Sequence, residues 1–374
     1  MLETYLHPDS RLADLKAGRE LSAADIARAA RDQAGRLAAA GVAPRDRVAI
    51  AHDDPGALVA DLLAVWSLGA AALVFSHAVA PAERDNLLAR SRAVALIARG
   101  ALAADAVAVA VLAPASPDAD PPIPPPATAE PDPDDVALVM MTSGTVAEPK
   151  GVMLSHRALA ARIDLNRRHI GDGDMARSLN VLPMHFGHGL IGNMLTPLAA
   201  GARLAAWPDP GPAGLPALGE TLDREAITFM SSVPSLWRAA MKLSRPPAGG
   251  TLRRVHIGSA PLTRVLWEDI ARWCGTRRVF NMFGMTEAAN WIAGIGLDDA
   301  PGGDQWVGLP WGGALAVTGP AGERLSTGRG EVCVASPSLM SGYLDREEAT
   351  REVLSDGWLM TGDNGEIDRA GRLR

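Results

Sequence analysis

The stretch 141-MTSGTVAEPKGVMLSHRA-158 combines glycines, short hydroxyl side chains and one lysine between two apolar segments. The apolar residues 136–140 before it and 152–154 at its end predict two buried strands. Backbone N–H groups at the glycines, together with the hydroxyls, can surround phosphate oxygens, and the lysine adds a mobile positive charge. The stretch therefore predicts a phosphate-binding loop between two strands.

The P-loop of nucleotide hydrolases requires a second glycine before its lysine and a hydroxyl residue after it, and this stretch has neither. The pattern instead resembles the T-S-G-T-x-x-x-P-K-G signature of the adenylate-forming superfamily, which includes acyl-CoA ligases, luciferases and the adenylation domains of peptide synthetases. This family usually has threonine and glycine where the chain has Val146 and Ala147. The alternative is a solvated loop with a chance lysine. The resemblance implies a pyrophosphate site made of Thr142, Ser143, Gly144, Thr145 and Lys150.

Three further motifs follow in the order that this family shows. The segment 279-VFNMFGMTEA-288 resembles its Y-G-x-T-E signature, 255-VHIGSAPL-262 its G-G-A-P-L loop, and 361-TGD-363 its ribose motif. For the first, the alternative is a turn with an aromatic residue and a surface glutamate. The resemblance implies an adenine and ribose site made of Gly258, Ser259, Ala260, Pro261, Asn281, Met282, Phe283 and Asp363.

Each of these residues has a chemical reason to be there. Phe283 offers a flat ring to the purine, and Asp363 can accept hydrogen bonds from both ribose hydroxyls. Thr286 offers a hydroxyl to the α-phosphate and Glu287 a carboxylate to Mg²⁺, a cation that prefers oxygen ligands. By resemblance, the catalytic residues are Lys150, Thr286 and Glu287, with Glu287 as the metal ligand.

The segment 182-LPMHFGHGL-190 indicates where the acid binds. By resemblance, Phe186 is the aromatic gate beside the reacting carboxylate, and Gly187 replaces the aspartate of relatives that activate amino acids, which argues against an α-amino acid. His185 and His188 flank the gate, but adenylation needs no base because a carboxylate is already ionised at neutral pH. The predicted acyl pocket contains Phe186, His188, Ser231, Ser232, Gly284 and Met285, although the serines suit a core strand equally well.

The rest of the chain predicts an α/β fold. Ser22 followed by Asp25 predicts a capped helix that ends near Gly41, and a strand at residues 47–51 begins an alternation of strands and helices. We expect two parallel-rich sheets flanked by helices in α-β-α-β-α layers, plus a small β-barrel subdomain. The predicted subdomains are 1–55 with 188–305, 56–187 with the phosphate loop, and a barrel-like 306–374, and the proline-rich residues 113–134 read as a surface connection.

Composition excludes several classes of protein. The 374 residues are 48% hydrophobic and 21% charged, which excludes a disordered chain. The net charge of −7 without a basic block argues against a nucleic-acid partner. Cys274 and Cys333 are too isolated for a disulfide framework or a zinc site, and neither a signal peptide nor a membrane span is evident. The expected location is the cytoplasm.

The resemblance implies AMP-forming activation of a small carboxylic acid: ATP and the acid give acyl-AMP and pyrophosphate with Mg²⁺, and coenzyme A then takes the acyl group. One alternative acceptor is the phosphopantetheine of an acyl carrier protein, and another alternative is a nucleotide- and acid-binding module without catalysis. The residues of the predicted pocket mix apolar and polar groups, which favours an aryl or medium-sized oxygenated acid: Met230, Met282, Ile191, His188 and Ser232.

The resemblance also gives an expectation about the end of the chain. Residues 1–374 read as the large N-terminal domain of this family, and the family's smaller C-terminal domain, with a lysine that contacts the acyl-phosphate, is absent from the sequence. We therefore expect this chain alone to bind its ligands with adenylation nearly abolished, since one lost transition-state cation costs on the order of 10²- to 10³-fold in rate.

Overall fold

The computed structural model describes residues 2–103, 109–116, 131–142 and 150–374. Part of the predicted pyrophosphate site, Ser143, Gly144 and Thr145, lies outside the described residues, as do Val146, Ala147 and residues 117–130 of the predicted proline-rich connection. Thr142 and Lys150, at the two ends of the predicted phosphate loop, are described.

The described residues form helices of three kinds. The α-helices are α1 Leu2–Tyr5, α2 Ala23–Ala39, α3 Pro55–Ser67, α4 Pro81–Ser91, α5 His156–Ile170, α6 Asp172–Met175, α7 Thr196–Ala199, α8 Gly211–Gly214, α9 Leu218–Arg224, α10 Pro234–Leu243, α11 Arg264–Cys274 and α12 Glu347–Val353. Short 3₁₀ turns are Gly100–Leu102, Leu215–Ala217 and Thr286–Ala288, and a π-helix is His188–Leu195.

The strands of the described residues are β1 Arg11–Asp14, β2 Arg19–Ser22, β3 Arg47–Ala51, β4 Ala71–Val74, β5 Ala95–Ala98, β6 Ala110–Leu112, β7 Val136–Met141, β8 Gly151–Ser155, β9 Arg177–Asn180, β10 Arg203–Ala206, β11 Phe229–Ser232, β12 Arg254–Ile257, β13 Val279–Met285, β14 Asn290–Gly296, β15 Leu309–Pro310, β16 Ala314–Thr318, β17 Arg324–Leu325, β18 Gly328–Ala335, β19 Gly342–Tyr343, β20 Leu354–Ser355 and β21 Trp358–Ile367.

Local sequence explains where several of these elements begin. Ser22 caps α2: its hydroxyl accepts from the N–H of Asp25, and the Asp25 carboxylate accepts from the N–H of Ser22, which is the predicted capping box. Asp54 caps α3 by accepting a hydrogen bond from the N–H of Ala57, and Pro55 follows as the first helical residue, where its missing N–H costs nothing. The predicted strand at residues 47–51 matches β3.

Two large sheets carry the domain. A nine-stranded sheet has the order β15-β14-β13-β12-β11-β9-β10-β1-β2, and a seven-stranded sheet has the order β19-β8-β7-β4-β3-β5-β6. The central strands of both run parallel, while antiparallel pairs lie toward the edges, as in β13 with β14 and β7 with β8. Since β7 and β8 are antiparallel neighbours, the predicted phosphate loop connects the two strands of a hairpin.

Buried apolar side chains arrange these sheets in layers. One core cluster joins Leu12 and Leu204 of the nine-stranded sheet to Val48 and Ile50 of the seven-stranded sheet through helices α2, α3 and α5. The outer face of the seven-stranded sheet packs on α4, and that of the nine-stranded sheet packs on α9, α10 and α11. The order of layers is therefore α-β-α-β-α, and the predicted fold class is confirmed.

Two details differ from the prediction. The β-rich region forms an open five-stranded antiparallel sheet, β17-β16-β18-β21-β20, and not a closed barrel: its edge strands β17 and β20 have two residues each and do not pair with one another. The sheets also cut across the predicted subdomain boundaries, because β3 pairs within the seven-stranded sheet and β9 within the nine-stranded one. In the described part of the chain, no helix has the length and apolar character needed to cross a membrane.

Candidate functional site

The candidate site lies at the carboxyl ends of four adjacent parallel strands. The order β13-β12-β11-β9 places the ends of these strands side by side in the nine-stranded sheet. The segment with Phe186 follows β9, the Gly258–Pro261 loop follows β12, and the Thr286–Ala288 turn follows β13. Ligands of open α/β sheets bind in the crevice outside the carboxyl ends of strands, so the topology brings three separate motifs to the expected edge.

A first cleft of about 420 Å³ holds the predicted adenine and ribose residues. Of these residues, all except Gly258 line it. Gly258 lies behind the wall, where an added Cβ would approach the Met282 carbonyl oxygen to 3.2 Å. The complete lining is Ser259, Ala260, Pro261, Leu262, Asn281, Met282, Phe283, Gly284, Gln305, Val307, Val332, Asp363, Asn364, Gly365, Leu373 and Arg374.

The turn that carries Asp363 is held by its own side chains and by the neighbouring strand. The Thr361 hydroxyl donates to the Val332 carbonyl at 2.9 Å and accepts from the Asp363 N–H at 3.1 Å. The Gly362 N–H donates to the Glu331 carboxylate at 3.0 Å. These contacts fix the backbone and leave the Asp363 side chain exposed in the cleft, where it can accept hydrogen bonds from vicinal hydroxyls.

A second cleft, of about 480 Å³, contains most of the predicted acyl pocket. Ser259 and Gly284 line both clefts, so the two spaces meet at these residues. The Phe186 side chain is 45% exposed at this cleft. The lining is Leu182, Pro183, Phe186, Gly187, His188, Gly189, Val233, Ser259, Gly284, Met285, Thr286 and Asn290.

Ser231 and Ser232 do not line this cleft, and their predicted place in the acyl pocket is wrong. Both are completely buried in β11, and the hydroxyl of Ser231 bonds the rear of the His188 ring. The cause is that β11 lies in the middle of the sheet, so both of its faces are covered. Met230 and Ile191 are completely buried as well.

His188 is fixed between two hydroxyls. Its Nδ1 lies 2.9 Å from Ser259 Oγ, and its Nε2 lies 2.6 Å from Ser231 Oγ. Burial lowers the pKa of His188 from 6.5 to about 4, so the ring is neutral at pH 7. Because both ring nitrogens are hydrogen-bonded to serine hydroxyls, His188 lines the cleft as a fixed polar group and has no free nitrogen to accept a proton from a substrate.

The predicted phosphate and metal residues meet around a tyrosine. The Tyr343 hydroxyl donates to Glu287 Oε1 at 2.9 Å, and Lys150 Nζ lies 4.6 Å from the centre of the Tyr343 ring. Burial, followed by the adjacent Glu287 carboxylate, raises the pKa of Tyr343 above its ordinary value, so the phenol keeps its proton. The Thr142 hydroxyl and N–H both donate to the Lys150 carbonyl, which closes the hairpin at the base of the predicted loop.

A magnesium ion fits the residues present. The described residues contain no group of three or more histidines, cysteines or acids that could hold a metal by themselves. Mg²⁺ is commonly bound by one or two carboxylates together with water and substrate phosphates. Glu287 is only partly buried, so its carboxylate can serve as such a single ligand beside a bound triphosphate.

Sequence reasoning did not assign several residues of the two clefts. Gln305, Val307 and Arg374 line the first cleft from segments without a recognisable motif, so nothing in the sequence marks them. Asn290 lines the second cleft from the start of β14. Tyr343 did carry a signal, because it belongs to a G-Y pair that resembles a family element, but its contact with Glu287 requires the tertiary structure.

Comparison with known proteins agrees with this geometry. Residues 5–344 match the family described as "AMP-binding enzyme". A feruloyl-CoA synthase of an Amycolatopsis species is 31% identical over 373 residues, which cover 95% of this chain and 72% of that protein.

Solved structures agree as well. The inhibitor-bound N-terminal domain of FACL13 from Mycobacterium tuberculosis superimposes with a TM-score of 0.84 at 24% identity, covering 97% of this chain and 94% of that one. The amide bond synthetase McbA from Marinactinospora thermotolerans has a TM-score of 0.84 at 28% identity and covers 100% of this chain and 77% of its own. This chain belongs to the family of AMP-binding enzymes.

Proposed function

We propose that the protein activates a carboxylic acid with ATP to form acyl-AMP, and that the acyl group then passes to the thiol of coenzyme A. The observation that supports this most is the junction of the two clefts at Ser259 and Gly284. An adenylate in the first cleft and an acid in the second would meet at this point. Thr286 lines the second cleft close to the junction, where the α-phosphate would lie.

The chemistry requires little from the protein beyond position and charge. A carboxylate oxygen attacks the α-phosphorus, a new P–O bond forms, and the bond to pyrophosphate breaks, with its electron pair leaving on pyrophosphate. The acid is ionised at neutral pH and needs no base, which agrees with the engaged nitrogens of His188. Lys150 would bind the departing pyrophosphate, and Thr286 would donate to the α-phosphate.

Other groups have the following proposed roles. Glu287 would hold Mg²⁺, which when bound neutralises charge on the phosphate oxygens. Phe283 would contact the purine, and Asp363 would accept hydrogen bonds from the ribose hydroxyls. The chain as a whole would correspond to a large N-terminal domain of this family, since it covers 94% of the FACL13 N-terminal domain in structure.

The acid is proposed to be an aryl or medium-sized oxygenated acid. The second cleft, about 480 Å³, combines apolar Leu182, Val233 and Met285 with the polar ring of His188, and it lies in the size range of small-ligand pockets. A feruloyl-CoA synthase among the relatives agrees with this class. A panel of acids in an ATP–pyrophosphate exchange assay tests it; highest exchange with palmitate-length acids would exclude the proposal.

The acyl group has three candidate acceptors. Coenzyme A is supported by the name of the feruloyl-CoA synthase, whereas an amine is supported by the similarity to an amide bond synthetase across the whole chain. A carrier-protein phosphopantetheine is the third acceptor. Preformed acyl-AMP, offered together with each acceptor to the protein in its full natural length, should give product fastest with coenzyme A.

Calorimetry combined with a pyrophosphate-exchange assay separates the enzyme from a module without catalysis. Calorimetry of the 374-residue chain with a non-hydrolysable acyl-adenylate analogue should show binding in either case. Pyrophosphate exchange by the protein in its full natural length should be measurable only for the enzyme. Binding of ATP without exchange for any acid would support the module, and lack of analogue binding would exclude both.

The cytoplasmic location remains a prediction.

A further inference from the structure

A short segment, residues 340–344, connects the two elements that carry the proposed phosphate and metal residues; we name it the strap. Within it, β19 pairs antiparallel with β8, which follows Lys150 directly. Backbone hydrogen bonds continue this pairing and extend it to the turn that carries Glu287: Ser341 N–H to Met153 O, Leu344 N–H to Gly151 O and Met340 N–H to Glu287 O, each 2.8 Å. The strap therefore holds the hairpin of Lys150 and the turn of Glu287 against each other.

Tyr343 is the strap residue whose side chain reaches both charged groups. Tyr343 is 7% exposed, its hydroxyl donates to Glu287 Oε1 at 2.9 Å, and the centre of its ring lies 4.6 Å from Lys150 Nζ. The Tyr343 N–H donates to Thr350 Oγ1 at 2.9 Å, so the backbone is fixed from α12 as well. One side chain thus sets the direction of a carboxylate and holds an ammonium group on its ring face.

We propose that Tyr343 is a positioning residue for metal-bound ATP: its hydroxyl orients the Glu287 carboxylate toward Mg²⁺, and its ring places the Lys150 ammonium beside the same phosphates. The inference rests on the proposed function. The carboxylate of a glutamate rotates freely about its Cγ–Cδ bond. A hydrogen bond to Oε1 fixes the orientation of the carboxylate plane, so that Oε2 remains available to the metal. Removal of such an outer partner typically costs about 10- to 100-fold in metal affinity or activity.

Tyr343→Phe isolates the hydroxyl, because the phenylalanine ring can still contact Lys150. The chain has two tyrosines, and the other supplies the matched control. Tyr5 is 1% exposed, and its hydroxyl lies 3.0 Å from His156 Nδ1 and 3.5 Å from the His156 carbonyl oxygen. Tyr5→Phe therefore also removes the hydrogen bonding of a buried phenol, and neither contact involves Glu287. An effect of Tyr343→Phe that Tyr5→Phe lacks is therefore not a general effect of losing a buried hydroxyl.

The experiment titrates Mn²⁺, a stand-in for Mg²⁺ visible by electron paramagnetic resonance, into the 374-residue chain with ATP present, and measures ATP binding without metal by calorimetry. For Tyr343→Phe we expect ATP-dependent Mn²⁺ affinity to fall by about 10-fold or more, with metal-free ATP affinity unchanged. For Tyr5→Phe both affinities should equal those of the wild type. Tyr343→Leu, which also removes the ring, should weaken metal-free ATP and pyrophosphate binding by roughly 2- to 5-fold.

A double variant tests whether Tyr343 acts through Glu287. In Glu287→Gln the proposed metal ligand is already lost, so adding Tyr343→Phe should cause little further loss of Mn²⁺ affinity. Full additivity of the two losses would overturn the inference, and so would wild-type Mn²⁺ affinity in Tyr343→Phe. Absence of any ATP-dependent Mn²⁺ binding in the wild type would overturn the proposed function, and with it this inference.

Discussion

Replacing Gly284 by alanine should damage the junction of the two clefts. Gly284 faces β14 across an antiparallel pair, at a point where the register of β13 shifts. A Cβ built on Gly284 would lie 2.3 Å from the Asn290 carbonyl oxygen, 2.7 Å from its carbon and 2.8 Å from Trp291 Cα. These atoms belong to backbone, so no side chain can rotate away to make room.

The size of the effect follows from these distances. Ordinary contact begins at 3.4 Å, so β14 would have to retreat by about 1.1 Å, the difference between the ordinary and the built distance to oxygen. Overpacking of this kind costs roughly 1–3 kcal/mol of unfolding free energy. Because Gly284 lines both clefts, a shift of about 1 Å there should also lower the rate of adenylation by on the order of 10²-fold.

Gly173→Ala is the matched control. Gly173 lies in α6, has no positive φ, and a Cβ there would meet nothing within 4 Å. This change should leave the site untouched and stabilise the fold by up to about 1 kcal/mol, since alanine favours a helix over glycine. Urea unfolding and calorimetry with an acyl-adenylate analogue compare the two variants. Unfolding midpoint and analogue affinity of Gly284→Ala equal to the wild type would refute the steric argument.

Three further predictions concern charge. In the protein in its full natural length, Lys150→Met should lower ATP–pyrophosphate exchange by on the order of 10²- to 10³-fold and affect acyl-AMP binding much less, because Lys150 would contact the departing pyrophosphate. Equal losses would contradict this role. Asp363→Asn should weaken AMP binding by about 10- to 100-fold, because a charged hydrogen-bond acceptor is lost, and should leave pyrophosphate binding unchanged. Calorimetry measures both affinities, and an unaltered AMP affinity would exclude a ribose contact. Burial lowers the pKa of His156 from 6.5 to about 4, so the unfolded chain binds this proton more tightly than the folded one. The contribution of neutral His156 to the free energy of unfolding is complete above pH 6.5 and is lost as the pH falls toward 4, by roughly 2 kcal/mol at pH 5. Urea unfolding at pH 5 and 7 should show a smaller loss of unfolding free energy in His156→Gln than in the wild type. An identical loss in both would disprove the assignment.

The sequence by itself determined the elements whose physics is local. The capping box of Ser22 and Asp25 involves residues three apart, and β3 was predicted at its observed bounds because five adjacent residues carry its pattern. The adenine and ribose motifs were also readable, since each places its chemistry within a few consecutive residues. Three such segments, 255–262, 279–288 and 361–363, supply most of the lining of the first cleft, although their spacing along the chain says nothing about the distances between them.

Tertiary structure decided what depends on pairing and coverage. A central strand is apolar on both faces whichever sheet it joins, so the sequence could not place β3 and β9 in their sheets or show that Ser231 and Ser232 are buried and do not line the second cleft. Whether the β-rich region closes into a barrel depends on the length of its edge strands, and β17 and β20 have only two residues each. The contact of Tyr343 with Glu287 joins residues 56 positions apart through a strap, and only the packing of separate sheets brings that hydroxyl to that carboxylate.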